Sequence, residues 1–275
     1  MSETLNQLAL RLLEQKQHKH LLRARCAVEP IDATHVRIDG KRYINFASND
    51  YLGLSHHPRM VEMLQKVASV GAGAAPLITG YSSVHAAAEA DLAKWKKTES
   101  ALLLPSGYQA NTAAVQTLAA LCEAMGRPVR FLVDKLAHAS LIDAVRASGV
   151  AMRVFPHNGV AKLDRLLTDA ASGELQVVVT ESIFSMDGDA ADLAALAQLK
   201  QRHDFVLLLD EAHGSGVYGR DGAGYASEAG FDTLTDITIV TLSKALGLSG
   251  GAICSSRAFI GAVENLGRAY IFSTA

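Results

Sequence analysis

Lys244 sits in Thr241-Leu242-Ser243-Lys244-Ala245-Leu246-Gly247, directly after the apolar run Ile237 to Val240. An amine ending a buried strand is costly unless something uses it. Desolvation lowers its pKa and frees the lone pair for Schiff-base chemistry. Thr241 and Ser243 offer hydroxyls to a phosphate beside it. Upstream, Phe205 to Leu209 is another apolar strand, ending in Asp210, with His213 three residues later. A carboxylate for a pyridine nitrogen and a lysine for an aldehyde are the groups that pyridoxal phosphate requires. Each has a plainer reading alone: a solvated loop lysine, a capping acid, a hydrogen-bonded histidine. In order, each at a strand end, they match where open α/β sheets bind ligands.

Other residues are more ambiguous. Pro105-Ser106-Gly107-Tyr108 joins a strand to a helix, where glycine admits a close anion and the helix start offers free N–H groups, yet many βα turns read the same. His138 either stacks on a flat ligand or caps the next helix. Ser185 lies in Phe184-Ser185-Met186-Asp187-Gly188-Asp189, a turn whose two acids lack the remaining positions of a calcium loop. The pairs His18/His20 and His56/His57 read as solvated surface rather than metal ligands. Gly247-Leu248-Ser249-Gly250-Gly251 fits G-x-S-x-G, but an elbow needs a strand before and a helix after. Here a strand, Ala252-Ile253-Cys254, follows, which disfavours a hydrolase. No complete G-x-G-x-x-G follows a strand.

The elements that must position these residues are legible from periodicity. Near-continuous apolar strands are expected at 101–104, 130–134, 151–155, 176–180, 205–210 and 237–241. Amphipathic helices are expected at 108–124, 139–148, 160–171, 190–203 and 258–266. The alternation predicts an α/β fold, a large mainly parallel sheet flanked by helices. Ahead of it, Leu5, Leu8, Leu12 and Leu13 mark an N-terminal helical arm that packs on the body or on a partner. Asp39-Gly40 makes a hairpin of 35–38 and 42–45. A helix opens at Pro58 and runs to about Val70, a flexible link covers 71–76, and another helix covers 85–97. The expected division is 1–45, arm and hairpin, and 46–275, the cofactor-binding domain.

The chain has 275 residues, 49% hydrophobic and 20% charged, with a net charge of −2, an ordinary globular balance that argues against nucleic acid or an anionic membrane as partner. Cys26, Cys122 and Cys254 are far apart and lack C-x-x-C spacing, so they read as reduced thiols of a cytoplasmic protein, neither disulfides nor a zinc site. No apolar run is long enough to span a membrane.

These motifs resemble the α-oxoamine synthases, pyridoxal-phosphate enzymes of aminotransferase fold type I. The resemblance rests on 241–250, with Asn45 to Ser55, Thr79 to His85, Ser106 to Asn111, His138-Ala139-Ser140, Phe184 to Gly188 and Asp210 to Gly214. Gly80-Tyr81-Ser82 before Val84-His85 is similar to the biotin-pathway branch, where glycine C-acetyltransferase and 5-aminolevulinate synthase types read Gly-Thr.

The resemblance implies a decarboxylating condensation of L-alanine with a pimeloyl thioester, on coenzyme A or a carrier protein. Lys244 would bind the cofactor aldehyde and move the α-proton, Asp210 would pair with the pyridine nitrogen, and His138 would stack over the ring and meet substrate. His213 and Ser185 would face the phenolic oxygen, with Gly107, Tyr108 and Thr241 around the cofactor. Ser273 and Thr274 would reach the phosphate of a neighbouring subunit, implying a homodimer with shared sites. Arg23 and Asn49 would lie on the substrate side. Two departures bear on this. Gly73-Ala74-Ala75-Pro76 replaces a loop richer in glycine and serine. The family's small C-terminal domain, which carries an arginine for the substrate carboxylate, is expected to be missing from this chain, so the alternatives are a related synthase of the glycine C-acetyltransferase or 5-aminolevulinate synthase type and a non-catalytic, cofactor-binding, dimerising fragment.

Overall fold

The computed structural model describes residues 4–67 and 71–274. The chain divides between Ala47 and Ser48 into two compact units. In the first, helix α1 (Leu5–His18) starts at a reciprocal cap between Thr4 and Gln7. None of its residues is buried, and Leu5, Leu8, Leu12 and Leu13 all stand exposed. Strands β1 (Glu29–Pro30), β2 (His35–Ile38) and β3 (Lys41–Ile44) follow as an antiparallel sheet. The expected hairpin is present. Asp39 and Gly40 both take positive φ, 49° and 76°, the backbone of a two-residue turn matched to strand twist.

The second unit opens with α2 (Pro58–Gln65), started by proline and capped by the His57 ring. The helix ends at Gln65 with Lys66 as its C-cap, short of the expected Val70, and residues 68–70 lie outside the described residues. Helix α3 (Ser83–Trp95) begins two residues before the expected 85, because Ser82 and His85 cap one another. Within the supposed flexible connection and just beyond it, Pro76–Gly80 forms a π-helical turn that periodicity did not reveal.

A seven-stranded sheet then builds from β4 (Ser100–Leu104), β5 (Val129–Asp134), β6 (Ala151–Phe155), β7 (Leu175–Glu181), β8 (Val206–Asp210), β9 (Ile237–Thr241) and β10 (Gly251–Ser255). Its order is β4-β10-β9-β8-β7-β5-β6. Only β10 runs against its neighbours, pairing antiparallel with both β4 and β9. The other six therefore point the same way and end at one edge.

Successive strand residues face opposite sides of the sheet. Val177, Val179 and Leu208 join one core with α4 (Gly107–Ala124), α5 (Ala139–Ala147), α8 (Arg257–Leu266) and α9 (Arg268–Ile271). Val178, Leu207 and Leu209 join a second core with α6 (Val160–Thr168) and α7 (Leu193–Arg202). Burial on both faces is why the strands read as continuous apolar runs. Helix α7 starts at Leu193, later than the expected 190, because the Asp192 side chain accepts the Ala195 N–H at 2.9 Å and sets the cap there.

Candidate functional site

Six strand ends converge on one edge, and the loops leaving them carry the residues singled out by the sequence. Asp210 closes β8 and is 4% exposed. Its Oδ1 accepts the Ala212 N–H at 2.9 Å, and its Oδ2 accepts Asn111 Nδ2 at 2.7 Å. A carboxylate held by two N–H donors has a fixed direction. Glu181 ends β7 beside it, in register with Asp210 across the parallel pair, and is 2% exposed.

Lys244 leaves β9 three residues after Thr241, and its Nζ lies 2.7 Å from His213 Nε2. Burial lowers the lysine's pKa, opposed by the acids Asp210 and Glu181. Burial also holds His213 down at about 4, helped by Lys244 and His138. At neutral pH His213 is therefore uncharged, and its Nε2 accepts from the ammonium. Its Nδ1 then carries a proton for the Tyr51 oxygen, 2.6 Å away, and the Tyr51 hydroxyl donates to Asn49 Oδ1 at 3.2 Å. Tyr51 joins Asn49 to the lysine through 162 residues of sequence separation from His213. Tyr51 had not been singled out, since nothing in a polar loop shows which distant histidine it will meet.

At the other end of the site, α4 begins behind Ser106, whose hydroxyl caps Gln109 N at 3.1 Å. A Cβ on Gly107 would lie 3.2 Å from Thr241 Cβ, and one on Gly251 would lie 2.5 Å from Gly107 N. These two glycines let β10 and the Thr241 turn press against the helix start. The open N–H groups of that start and the paired hydroxyls of Thr241 and Ser243, 2.9 Å apart, are donors that could hold a phosphate. Ser273 reaches the same helix turn, accepting from Gln109 Nε2 at 3.3 Å, and Thr274 follows it, exposed. Tyr108 is exposed, its hydroxyl bonded to Asp143 at 3.1 Å.

His138 resolves its two readings in part. Its Nδ1 accepts the Ser140 N–H at 3.2 Å and so caps α5, while the ring remains exposed and free to meet a ligand. Ser185 is exposed in the turn after β7. That turn is anchored by His157, whose Nε2 lies 2.8 Å from Asp189 and whose Nδ1 lies 3.1 Å from Asp134 at the end of β5. Burial opposes charge on His157, but the two acids prevail and raise its pKa. Arg23 is exposed and belongs to the N-terminal unit. The hydrolase alternative is overturned: Ser249 lies in the connection between the antiparallel β9 and β10, and the element that directly follows it is the strand β10 rather than a helix. Among the described residues no three His, Cys, Asp or Glu side chains gather as a metal-binding group, and no helix is long and apolar enough to cross a membrane.

Glu181 is a second group the sequence reading passed over. It ends an apolar strand in an acid, the same signal that singled out Asp210. Burial first, and the Asp210 charge second, push its pKa up to about 8. In the unfolded chain it titrates near 4.5. The folded state therefore retains a proton the unfolded state releases, and stability falls as pH rises from about 4.5 to about 8. Glu181→Gln keeps the shape and removes that slope. Its melting temperature should match wild type near pH 4.5 and exceed it by roughly 10 °C at pH 8.5, because each pH unit between about 4.5 and about 8 is worth about 1.4 kcal/mol and each kcal/mol about 2–4 °C. Thermal denaturation across that range checks it. Parallel curves would show that Glu181 is ionised throughout.

Residues 41–275 match the family model of aminotransferase class I and II, and the chain belongs to that family. It is 41% identical to a protein named 8-amino-7-oxononanoate synthase in Gluconacetobacter diazotrophicus, over 96% of this chain and 67% of that one. The same name, identity and shares hold for a protein of Chromobacterium violaceum. The chain thus spans about two thirds of the length of these relatives. Among solved structures, Sphingomonas wittichii serine palmitoyltransferase superposes with a TM-score of 0.87 at 27% identity, over all of this chain and 69% of that one. The 8-amino-7-oxononanoate synthase of Francisella tularensis gives 0.67 at 26%, over 84% and 63%.

Proposed function

We propose that this chain forms the pyridoxal-phosphate-binding part of an α-oxoamine synthase that condenses L-alanine with a pimeloyl thioester, as an 8-amino-7-oxononanoate synthase of biotin formation. The observation that carries it is the amine of Lys244, partly desolvated and bonded to a neutral histidine, on the same sheet edge as a buried, two-donor Asp210. The residues fit the cofactor. Gly107, Tyr108, Thr241 and Ser243 surround the candidate phosphate cradle, and beside Asp210 the buried Asn111 Oδ1 and Glu181 Oε1 have no hydrogen-bond partner among the described residues. When bound, pyridoxal phosphate supplies an electron sink for charge developed at the amino acid's Cα.

In this reading the chain's own residues bind, orient and move protons. Lys244 Nζ takes the proton from alanine Cα and later returns one to the product; its lowered pKa eases loss of the ammonium proton. Asp210 keeps a proton on the pyridine nitrogen. His213 and Ser185 face the ring oxygen, and His138 packs over the ring and offers its remaining nitrogen to substrate. Ser273 and Thr274 serve the phosphate across a homodimer, and Arg23 and Asn49 serve the substrate side. The domain boundary follows as an arm before about residue 46, and the setting is cytoplasmic. Overall, a bond forms between alanine Cα and the pimeloyl carbonyl carbon. The thiol leaves, and the amino acid's carboxylate departs as carbon dioxide.

Serine palmitoyltransferases superpose more fully, but the 41% identity to the synthases against 27–28% favours alanine and pimelate. The test is thiol and carbon dioxide release from the cofactor-loaded protein. L-alanine with pimeloyl-CoA should release both in equal amounts, at least about tenfold faster than glycine with acetyl-CoA or L-serine with palmitoyl-CoA. Release with another pair alone would replace the substrate assignment. Cofactor binding with no release from any pair would favour the non-catalytic reading.

A further inference from the structure

Beneath the site runs a polar chain buried among apolar neighbours. Asn111 projects from α4 and is 2% exposed, while Ser140, on α5, is fully buried. One amide nitrogen of Asn111 serves both directions, 2.7 Å from Asp210 Oδ2 and 2.9 Å from Ser140 Oγ. Ser140 Oγ is in turn 2.7 Å from His138 Nδ1. The sense of each bond is fixed by its ends. A carboxylate oxygen only accepts, so Asn111 presents its amide nitrogen rather than its oxygen to this side. Ser140 Oγ accepts from that nitrogen and spends its own proton on His138. The Ser140 backbone N–H also donates to His138 Nδ1, at 3.2 Å. Two donors aimed at Nδ1 leave the ring proton on Nε2.

We infer that Asn111 and Ser140 are positioning residues that hold neutral His138 in the Nε2–H tautomer, anchored at the far end by Asp210. His138 then offers the exposed side of the site a hydrogen-bond donor, suited to a carboxylate or carbonyl oxygen of a substrate. That use of the donor rests on the function proposed above. The tautomer itself does not.

The polar chain explains why a helix otherwise rich in alanine spends a buried position on asparagine. An unpaired amide there is costly, and a paired one transmits direction. Titratable groups around the ring come from several elements: Asp210 and Glu181 at the ends of β8 and β7, with His213 and Lys244 in the loops after β8 and β9.

The experiment is nitrogen-15 NMR of histidine-labelled full chain without cofactor, with the His138 resonances identified by their loss in His138→Gln. Wild type should show an unprotonated Nδ1 and a protonated Nε2 in the neutral ring. Ser140→Ala should shift the neutral ring toward the Nδ1–H tautomer, because a donor to Nδ1 is lost. Asn111→Leu should move it in the same direction, and the double variant should move it no further than Ser140→Ala alone, since the effect of Asn111 passes through Ser140. Should Asn111→Leu fail to fold, Asn111→Ser takes its place. A wild-type Nδ1–H tautomer, an Asn111 variant with an unmoved tautomer balance, or additive shifts would each overturn the proposal. Failure of the wild type to bind added pyridoxal phosphate would instead refute the proposed function and leave the tautomer result standing.

Discussion

Lys244→Ala should lower condensation of L-alanine with the pimeloyl thioester by at least about a thousandfold, the scale expected when a positioned proton-transfer group is removed. The variant should fold, because a half-buried amine is replaced by a small apolar group and the burial that lowers the lysine's pKa is relieved. His213 loses the charged neighbour that helps hold it at about 4, so its pKa should rise in the variant. Pyridoxal phosphate can no longer bond covalently there, yet the cradle of Gly107, Thr241 and Ser243 is untouched, so reversible binding should survive. Steady-state kinetics and an equilibrium binding titration separate the two effects. Activity within tenfold of wild type would remove Lys244 from the chemistry.

Asp210→Asn is expected to have the second largest effect, a fall of about a hundredfold in turnover, comparable to losing one preorganised electrostatic contact. The reasons lie in its surroundings. Both carboxylate oxygens accept N–H donors, from Ala212 and Asn111. An amide at 210 must turn its own NH₂ toward one of them, and that bond becomes a clash of donors. The charge beside the pyridine nitrogen is lost as well. Asp210 is the second cause of the raised Glu181 pKa, so the substitution should bring that pKa down from about 8 and let Glu181 supply part of the missing charge. Combining Asp210→Asn with Glu181→Gln should therefore cost more activity than Asp210→Asn alone. A double variant as active as the single would show that Glu181 does not compensate.

Much of this site was legible because its chemistry sits at strand ends. An apolar run terminating in Asp210, another followed by Lys244, and a glycine ahead of a helix at Gly107 are local signals, and a parallel sheet brings strand ends together without further information. The parallel core read clearly for the same reason: Val177 to Val179 and Leu207 to Leu209 are apolar on both faces because both faces are covered. Residues that work through partners distant in sequence were not legible. Tyr51 lies in a polar loop, and only the folded chain sets it against His213. Asn111 and Ser140 look like ordinary members of helices until the sheet places Asp210 beneath them. Glu181 was within reach, since it ends its strand as Asp210 does. The π-helical turn at Pro76–Gly80 had no periodic signature to find.

The central claim is that Lys244 is the residue that holds pyridoxal phosphate. Its most direct test is borohydride reduction of the full chain after incubation with pyridoxal phosphate, followed by mass mapping of the modified lysine. The account predicts one stoichiometric adduct, on Lys244, lost in Lys244→Ala. Stoichiometric labelling of another lysine, or an unlabelled Lys244 in a folded protein that has bound the cofactor, would contradict it.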